Sequence, residues 1–261
     1  MASLANVLLT WKNIMTKEQI QQIRYHAVCD IAHRWFAFFE GETEDLSRHA
    51  DIFSEDVLLV HGGTHLLAKG KVAMMHWLSQ LPPEKGSHII RRIELGKQTP
   101  HQAEVNMDIG YQAVRDDGKI GGALSEYQTT VSFDKEHNAV FNFLQKTPLY
   151  PNPDTVFRDS FAENRLKSFI ARLSYSILRY SAEGKETFLQ EALSSVKGHK
   201  LYPLLKNMAV SHVYADKMDS DNLSCTLRLL VQDTPYKLNL RLNDSAGRWL
   251  TIRYATLNKY T

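Results

Sequence analysis

The residue types best suited to chemistry gather around His61, at the end of a short apolar run. Residues 56–60 are mostly aliphatic or β-branched, which favours a strand, and Gly62 and Gly63 break the pairing directly after the histidine. An imidazole titrates near neutral pH and can take a proton from an acidic C–H group or from water. Asp108 or Tyr127 would fix its tautomer if a sheet curls around it. The sequence therefore predicts His61 as a general base, and the alternative is an interior histidine with a structural hydrogen bond.

A second set of residues could bind a small molecule beside this histidine. Ser125, Tyr127 and Thr129 alternate along one predicted strand and make its face unusually polar for a core, which favours a wet pocket. The predicted catalytic residues are His61, Asp108 and Tyr127, and the predicted substrate-binding residues are Trp35, Met74, Trp77, Tyr111, Ser125 and Thr129. The alternatives are core packing for the tryptophan of the first helix, a solvated face for Asp108 and packed, hydrogen-bonded rings for the tyrosines.

The elements that must position these residues are helices followed by a meander of strands. Apolar residues recur at a helical period over residues 20–39 and 71–81, and a short helix is predicted over 45–53. Strands are predicted over 56–60, 87–95, 104–114, 123–133 and 139–145, with a hairpin turn at Asp116-Asp117-Gly118. Helices followed by long antiparallel strands predict an α+β unit with the helices packed on one face of a sheet.

The pattern then starts again after a stretch marked by Pro148, Pro151 and Pro153. A helix over residues 157–180 precedes predicted strands over 208–216, 223–232, 236–242 and 249–257. We expect two domains, 1–150 with the candidate pocket and 151–261 as a degenerate, structural copy. In the second copy, leucines alternate cleanly with polar residues, which predicts one filled apolar face. The two copies are expected to pack as an internal pseudo-dimer, and a further homodimer is an open alternative.

Composition excludes several classes of protein. The chain has 261 residues, 43% of them hydrophobic and 23% charged, with a formal net charge of +2, as in ordinary globular proteins. The Lys and Arg residues are scattered and do not form the basic cluster typical of a nucleic-acid-binding surface. The sequence has no long apolar run, so we expect no membrane span. Cys29 and Cys225 match no ligand spacing and are predicted to be buried thiols. No metal or cofactor motif is visible, and a cytoplasmic location is expected.

Several short segments carry a resemblance to a known family. They are Arg34-Trp35-Phe36-Ala37 with Glu40-Gly41, Phe53-Ser54-Glu55-Asp56-Val57, Gly70 at the start of a helix, and Ser87-His88-Ile89-Ile90-Arg91-Arg92-Ile93. In this order and spacing, residues 20–148, and more loosely 155–261, resemble the SnoaL-like polyketide-cyclase group of the nuclear transport factor 2-like superfamily.

The resemblance implies a fold made of a cone of curved antiparallel sheet and three helices, the roll also called cystatin-like, and we expect two such cone-like units, of which the second is degenerate. The resemblance also places His61 at the position of the general base of the related steroid isomerases, with their hydrogen-bonding acid near Thr129 and their phenol near Trp35. Three functions remain open: a cyclase, isomerase or dehydratase that moves a proton on a small, largely apolar substrate; a non-catalytic ligand-binding module; and a protein-interaction module.

Overall fold

The computed structural model describes residues 15–41, 46–82, 84–191, 201–244 and 250–260. Asp45 and Trp249, the first residues of a predicted helix and a predicted strand, lie outside these ranges. The helices are α1 (Lys17–Glu40), α2 (Lys71–Ser79), α3 (Phe161–Glu183), α4 (Thr187–Glu191) and α5 (Tyr202–Leu205). The strands are β1 (Phe53–His61), β2 (His65–Lys69), β3 (Gly86–Gln98), β4 (Gln102–Val114), β5 (Ile120–Phe133), β6 (Ala139–Pro151), β7 (Val210–Asp219), β8 (Ser224–Val231), β9 (Thr234–Asp244) and β10 (Leu250–Lys259).

The chain divides into two compact units, and both divisions fall inside long helices. One unit contains residues 27–171, and the other contains residues 1–26 together with 172–261. The 27–171 unit therefore includes the second half of α1 and the first half of α3. It extends past residue 150, where the sequence places the domain boundary. The functional division into 1–150 and 151–261, and the packing of the halves as a pseudo-dimer, stay predictions.

The 27–171 unit is built on a six-stranded sheet with strand order β2-β1-β6-β5-β4-β3. Its neighbouring strands are antiparallel except for β1 and β6, which are parallel. Along β4, Val105, Met107 and Ile109 are buried and alternate with more exposed polar residues, so one face of the sheet supplies the core. The predicted α+β class, with helices on a curved sheet, is confirmed.

Two local predictions around His61 need correction. The short helix predicted over 45–53 is instead a pair of 3₁₀ turns, Leu46–Arg48 and Ala50–Ile52, after which β1 begins at Phe53. The Gly-Gly turn leads into strand β2, which begins at His65, whereas the residue pattern there predicts a loop. A five-residue edge strand with two exposed residues at its start has too little periodicity to stand out in a sequence.

The segment that the prolines mark as a linker is attached to β4 by hydrogen bonds. Gln112 Nε2 donates to the carbonyl oxygen of Val156 at 2.9 Å, and the Arg158 N–H donates to Gln112 Oε1 at 3.0 Å. Asn152 Nδ2 donates to the Tyr111 carbonyl oxygen at 2.9 Å. These bonds hold residues 152–158 along the sheet, directly before α3 begins at Phe161.

The other unit contains a four-stranded antiparallel sheet with strand order β10-β9-β8-β7. Leu227, Leu229, Leu238 and Leu240 are buried on one face of it, as the alternation predicts. Cys225 is buried there too, and burial raises the pKa of its thiol to about 12. No described helix in the protein is both long and apolar enough to cross a membrane.

Candidate functional site

The polar residues predicted from the alternation along β5 lie on the face of the sheet that supplies the core, here called the inner face. Ser125, Tyr127 and Thr129 are all buried. Ser125 Oγ and Thr129 Oγ1 have no hydrogen-bond partner among the described residues, which is unusual for buried hydroxyls. Burial raises the pKa of Tyr127, while the nearby Trp35 indole N–H acts in the opposite direction. The phenol therefore stays protonated at neutral pH and can donate a hydrogen bond.

His61 is the last residue of β1 and points to the side of the sheet on which Leu59 is buried. It is half-buried, and it is followed by Gly62 and Gly63 with φ angles of 61° and 80°, a turn that glycine adopts without strain. In the parallel pairing of β1 with β6, His61 lies directly beside Lys146. The structure thus places an imidazole and an amine on neighbouring strands at the same level of the sheet.

Asp108 lies away from this group of residues. It alternates with the buried Met107 and Ile109, so its carboxylate lies on the opposite face of β4. There its Oδ2 is 2.7 Å from Arg92 Nε, in an exposed ion pair. The Asp108 carboxylate is therefore bound by Arg92 on the face of the sheet opposite His61.

A different histidine, His88 on β3, is held in an enclosed aromatic setting. Its ring stacks on Phe36 at a centroid distance of 5.1 Å and on Tyr111 at 4.9 Å. Its Nδ1 lies 3.6 Å from Glu40 Oε1. Burial lowers the pKa of His88, with a smaller contribution from the charge of Lys146, and the Glu40 carboxylate opposes this shift. The imidazole is therefore neutral at neutral pH, with a carboxylate beside its Nδ1 edge.

Glu40, at the end of α1, has a buried carboxylate, and both of its oxygens accept hydrogen bonds. Its side chain is only 1% exposed. Oε1 accepts from the His88 backbone N–H and from the Ser160 hydroxyl, and Oε2 accepts from Asn164 Nδ2 at 2.9 Å. Asn164 also donates to the His88 carbonyl oxygen at 2.9 Å, and its Oδ1 accepts from His33 Nδ1 at 2.9 Å. The start of α3 thus fixes the carboxylate that approaches His88.

Tyr111 connects His88 to an amine and to a second carboxylate. Its hydroxyl donates to Glu84 Oε2 at 2.7 Å, and Lys146 Nζ lies 5.0 Å from its ring centroid. Burial and Glu84 both raise the pKa of Tyr111. Burial lowers the pKa of Lys146, and the charge of Glu84 partly offsets this. Imidazole, phenol and amine therefore follow one another along the inner face of the sheet.

Three of the predicted substrate-binding residues lie on helices, Trp35 on α1 and Met74 and Trp77 on α2. Trp35 and Met74 are fully buried, and Trp35 packs edge-on against Phe39 and Phe53 at centroid distances of 4.7 and 5.5 Å. Trp77 is half-buried, with its ring centroid 6.5 Å from that of Phe39. Trp35 is therefore a core residue, which is the alternative to substrate binding given for it in the sequence analysis. Trp77 lies nearer the solvent.

The residues that the sequence analysis missed are Glu40, His88 and Lys146. Glu40 and His88 both belong to segments that carry the family resemblance, and this shared position is the sequence signal that points to them. They lie 48 residues apart and meet only because α1 ends over β3. Lys146 shares the parity of the buried Leu144 along β6, so an inward lysine could have been noticed.

The four-stranded sheet, which lies within the region 151–261 that was predicted to be structural, carries a depression. The depression measures about 480 Å³, and residues around it include Lys217, Thr226, Asn239, Arg241 and Tyr254. Its lining is largely polar, because Thr226, Asn239 and Arg241 are among the polar residues that alternate with the leucines of β8 and β9. Among the described residues of the whole chain, no group of three or more His, Cys, Asp or Glu side chains could hold a metal ion.

Comparison with known proteins gives matches of structure only. No protein-family model matches the chain, and no curated protein sequence matches it. Solved structures do match: a putative scytalone dehydratase from Novosphingobium aromaticivorans is 14% identical with a TM-score of 0.45, covering 54% of this chain and 93% of its own. The hexachlorocyclohexane dehydrochlorinase LinA-type3 from Novosphingobium barchaimii is 14% identical with a TM-score of 0.43, covering 51% and 92%.

A third match is ActVI-ORFA from Streptomyces coelicolor, 12% identical with a TM-score of 0.40, covering 48% of this chain and 96% of its own. Each of the three matches covers about half of this chain and nearly all of the other. At these identities and scores the likeness concerns the fold alone. The chemistry must be argued from the residues themselves.

Proposed function

We propose that the 27–171 unit binds a small, largely apolar molecule on the inner face of its sheet and moves a proton on it, as isomerases, cyclases and lyases do. One observation carries this proposal. His88 is neutral, is stacked between Phe36 and Tyr111, and has its Nδ1 3.6 Å from the buried carboxylate of Glu40. This is the arrangement of a histidine base with an orienting carboxylate.

The roles of the two residues follow from their geometry. The Glu40 carboxylate favours the tautomer of His88 with its proton on Nδ1, which leaves Nε2 to take a proton from a substrate. The imidazolium that forms is then stabilised by the carboxylate. The separation of 3.6 Å exceeds an ordinary hydrogen bond, and such contacts often shorten when substrate binds.

The surroundings support a small, largely apolar substrate with one or two oxygens. Phe39, Trp77 and Tyr111 offer ring surfaces, and Tyr127 offers a hydroxyl that stays protonated. An oxygen that gains negative charge as the proton leaves would be stabilised by such a donor. His61, at the end of β1, is the second candidate for the base, since it faces the same side of the sheet.

Proton abstraction can be measured without knowing the natural reaction. The full chain is incubated in deuterium oxide with 2-tetralone, an apolar ketone with acidic C–H groups, and deuterium incorporation is followed by NMR. We expect faster exchange than in buffer, and a loss of about 10²–10⁴-fold in His88→Ala, the range for removing a general base. His76→Ala, on an exposed position of α2, is the matched control and should exchange like the wild type.

The same assay separates the alternatives. Exchange that survives in His88→Ala but is lost in His61→Ala would move the base to His61. If the protein retains the ketone in native mass spectrometry but never accelerates exchange, it is a ligand-binding module, and the catalytic proposal is wrong.

A further inference from the structure

Lys146 lies on β6, the strand between those that carry His61 and Tyr127. On β6 it is paired with His61 of β1 on one side and with Tyr127 of β5 on the other. Side chains of directly paired residues lie on the same side of a sheet, and this side is the inner one because Tyr127 and Leu144 are buried there. The amine therefore has an imidazole and a phenol as its neighbours on adjacent strands.

The contacts of this amine differ from those of the lysines that are paired with carboxylates. Lys71 and Lys167 lie 3.1 and 2.7 Å from the carboxylates of Glu55 and Glu163. Within the described part of the chain, Lys146 Nζ has neither a hydrogen bond nor an ion pair, and its contact is the face of the Tyr111 ring at 5.0 Å. The Glu84 carboxylate, which could neutralise it, takes the Tyr111 hydroxyl instead. A lysine on an inner face without a carboxylate partner holds its proton less firmly than a paired one.

We propose that Lys146 is a covalent catalytic residue that forms an imine with the carbonyl carbon of an aldehyde or ketone substrate. This deepens the proposed function, on which it rests, by naming the substrate class and the way in which the proton is made acidic. Lysine amines in desolvated sites are nucleophiles of this kind.

The step balances without any oxidant or reductant. The neutral amine adds to the carbonyl carbon, and the carbinolamine then loses its hydroxyl group as water, which leaves a C=N bond to Nζ. Protonation of that nitrogen makes the neighbouring C–H group acidic, so a base removes a proton and an enamine forms. Reprotonation and hydrolysis return the amine and release the carbonyl product.

The neighbouring residues can handle the protons of this sequence. Burial raises the pKa of Tyr127, so its hydroxyl stays protonated and is the donor to the carbinolamine oxygen, while the Tyr111 hydroxyl is already bound to Glu84. His61, in register with Lys146, is placed to take the proton released when the amine attacks. His88 stacks on Tyr111, the ring that Lys146 faces, and is the base proposed for the carbon-bound proton.

Reductive trapping tests the imine directly. The full chain is treated with benzaldehyde and cyanoborohydride, digested, and mapped by mass spectrometry for lysines that have gained one benzyl group. We expect the label at Lys146 in preference to Lys85, the matched control, whose Nζ lies 5.2 Å from the Phe157 ring but which is exposed. Lys146→Arg keeps the positive charge and should lose both this label and the deuterium exchange of 2-tetralone. Lys146→Met is a second variant with the same expectation, and circular dichroism checks that both fold.

The outcomes separate this inference from the proposed function. Labelling of Lys146 no greater than that of Lys85 overturns the imine, and so does undiminished exchange in Lys146→Arg, while His88 can still act as a base. Loss of exchange in His88→Ala with the Lys146 label intact supports both. Strong labelling of Lys146 with no wild-type exchange supports the reactive amine and contradicts the proton-transfer function.

Discussion

Replacement of Asn164 by alanine tests whether α3 holds the carboxylate of the proposed site. Asn164 is 2% exposed, and its amide makes three hydrogen bonds of 2.9 Å, to Glu40 Oε2, the His88 carbonyl oxygen and His33 Nδ1. The variant removes all three at once. It leaves a buried carboxylate oxygen, a carbonyl oxygen and an imidazole nitrogen without their present partner.

The expected loss of stability follows from these three groups. Leaving one buried neutral group unsatisfied costs about 1–3 kcal/mol, and a charged group costs more. Removing one partner of a buried charge costs about 3–5 kcal/mol. Because the groups share one site and the structure can relax, we expect about 3–5 kcal/mol in total, a large part of the roughly 5–15 kcal/mol that holds a domain folded.

Urea unfolding followed by circular dichroism measures this loss. Asn138→Ala is the matched control: this asparagine also makes hydrogen bonds through its amide, to Asp134 Oδ2 at 2.8 Å, but it lies on an exposed turn. Its replacement should cost about 1 kcal/mol or less, since water replaces the lost partner. The cost of Asn164→Ala should also shrink in a Glu40→Gln background, where no charge is left without its donor.

Two results would refute this reasoning. If Asn164→Ala is no less stable than Asn138→Ala, the buried network does not support the fold. If its cost is unchanged in the Glu40→Gln background, the network acts through something other than the carboxylate, and Asn164 does not position Glu40.

The remaining predictions concern pH and the β4–β5 hairpin. Burial lowers the pKa of His33 to about 4, below the ordinary value of 6.5 in the unfolded chain, so the folded protein should lose stability as the pH falls from about 6.5 to about 4. His33→Gln should flatten that decline in urea titrations at several pH values, and equal slopes would contradict the assignment. Gly122 has a φ angle of 146°, and a Cβ atom there would collide with the Tyr111 backbone. Gly122→Ala should therefore lower the urea midpoint more than Gly118→Ala, where a Cβ atom meets open space at a φ angle of 77°.

Local patterns were enough to predict most of the elements. The spacing of Thr16 and Gln19 predicts a capping box, and both of its hydrogen bonds are present, at 2.9 and 3.2 Å. The alternation along β4 and β5 correctly predicts the inward positions of Met107 and Tyr127. These features depend on neighbours within a few residues, so a single sequence contains the necessary information.

The arrangement of the candidate site depends on pairings that no local pattern records. Whether Asp108 meets His61 or Arg92 is decided by which face of β4 it occupies once the register with β3 is set. His61 and Lys146 lie 85 residues apart in the sequence and become neighbours only through the parallel pairing of β1 with β6. A meander of antiparallel strands, as the sequence suggested, would not bring them together.

The contacts of Glu40 also join residues far apart in the sequence, and they cross the predicted domain boundary at residue 150. Ser160 and Asn164, which bind its carboxylate, come 120 and 124 residues later in the chain, beyond residue 150. A carboxylate that is 1% exposed requires such donors, because burying a charge without them costs several kcal/mol. The end of α1 can therefore present Glu40 to His88 only when the start of α3 is in place. For this reason we regard residues 152–171 as part of the proposed site rather than as a linker to a second domain.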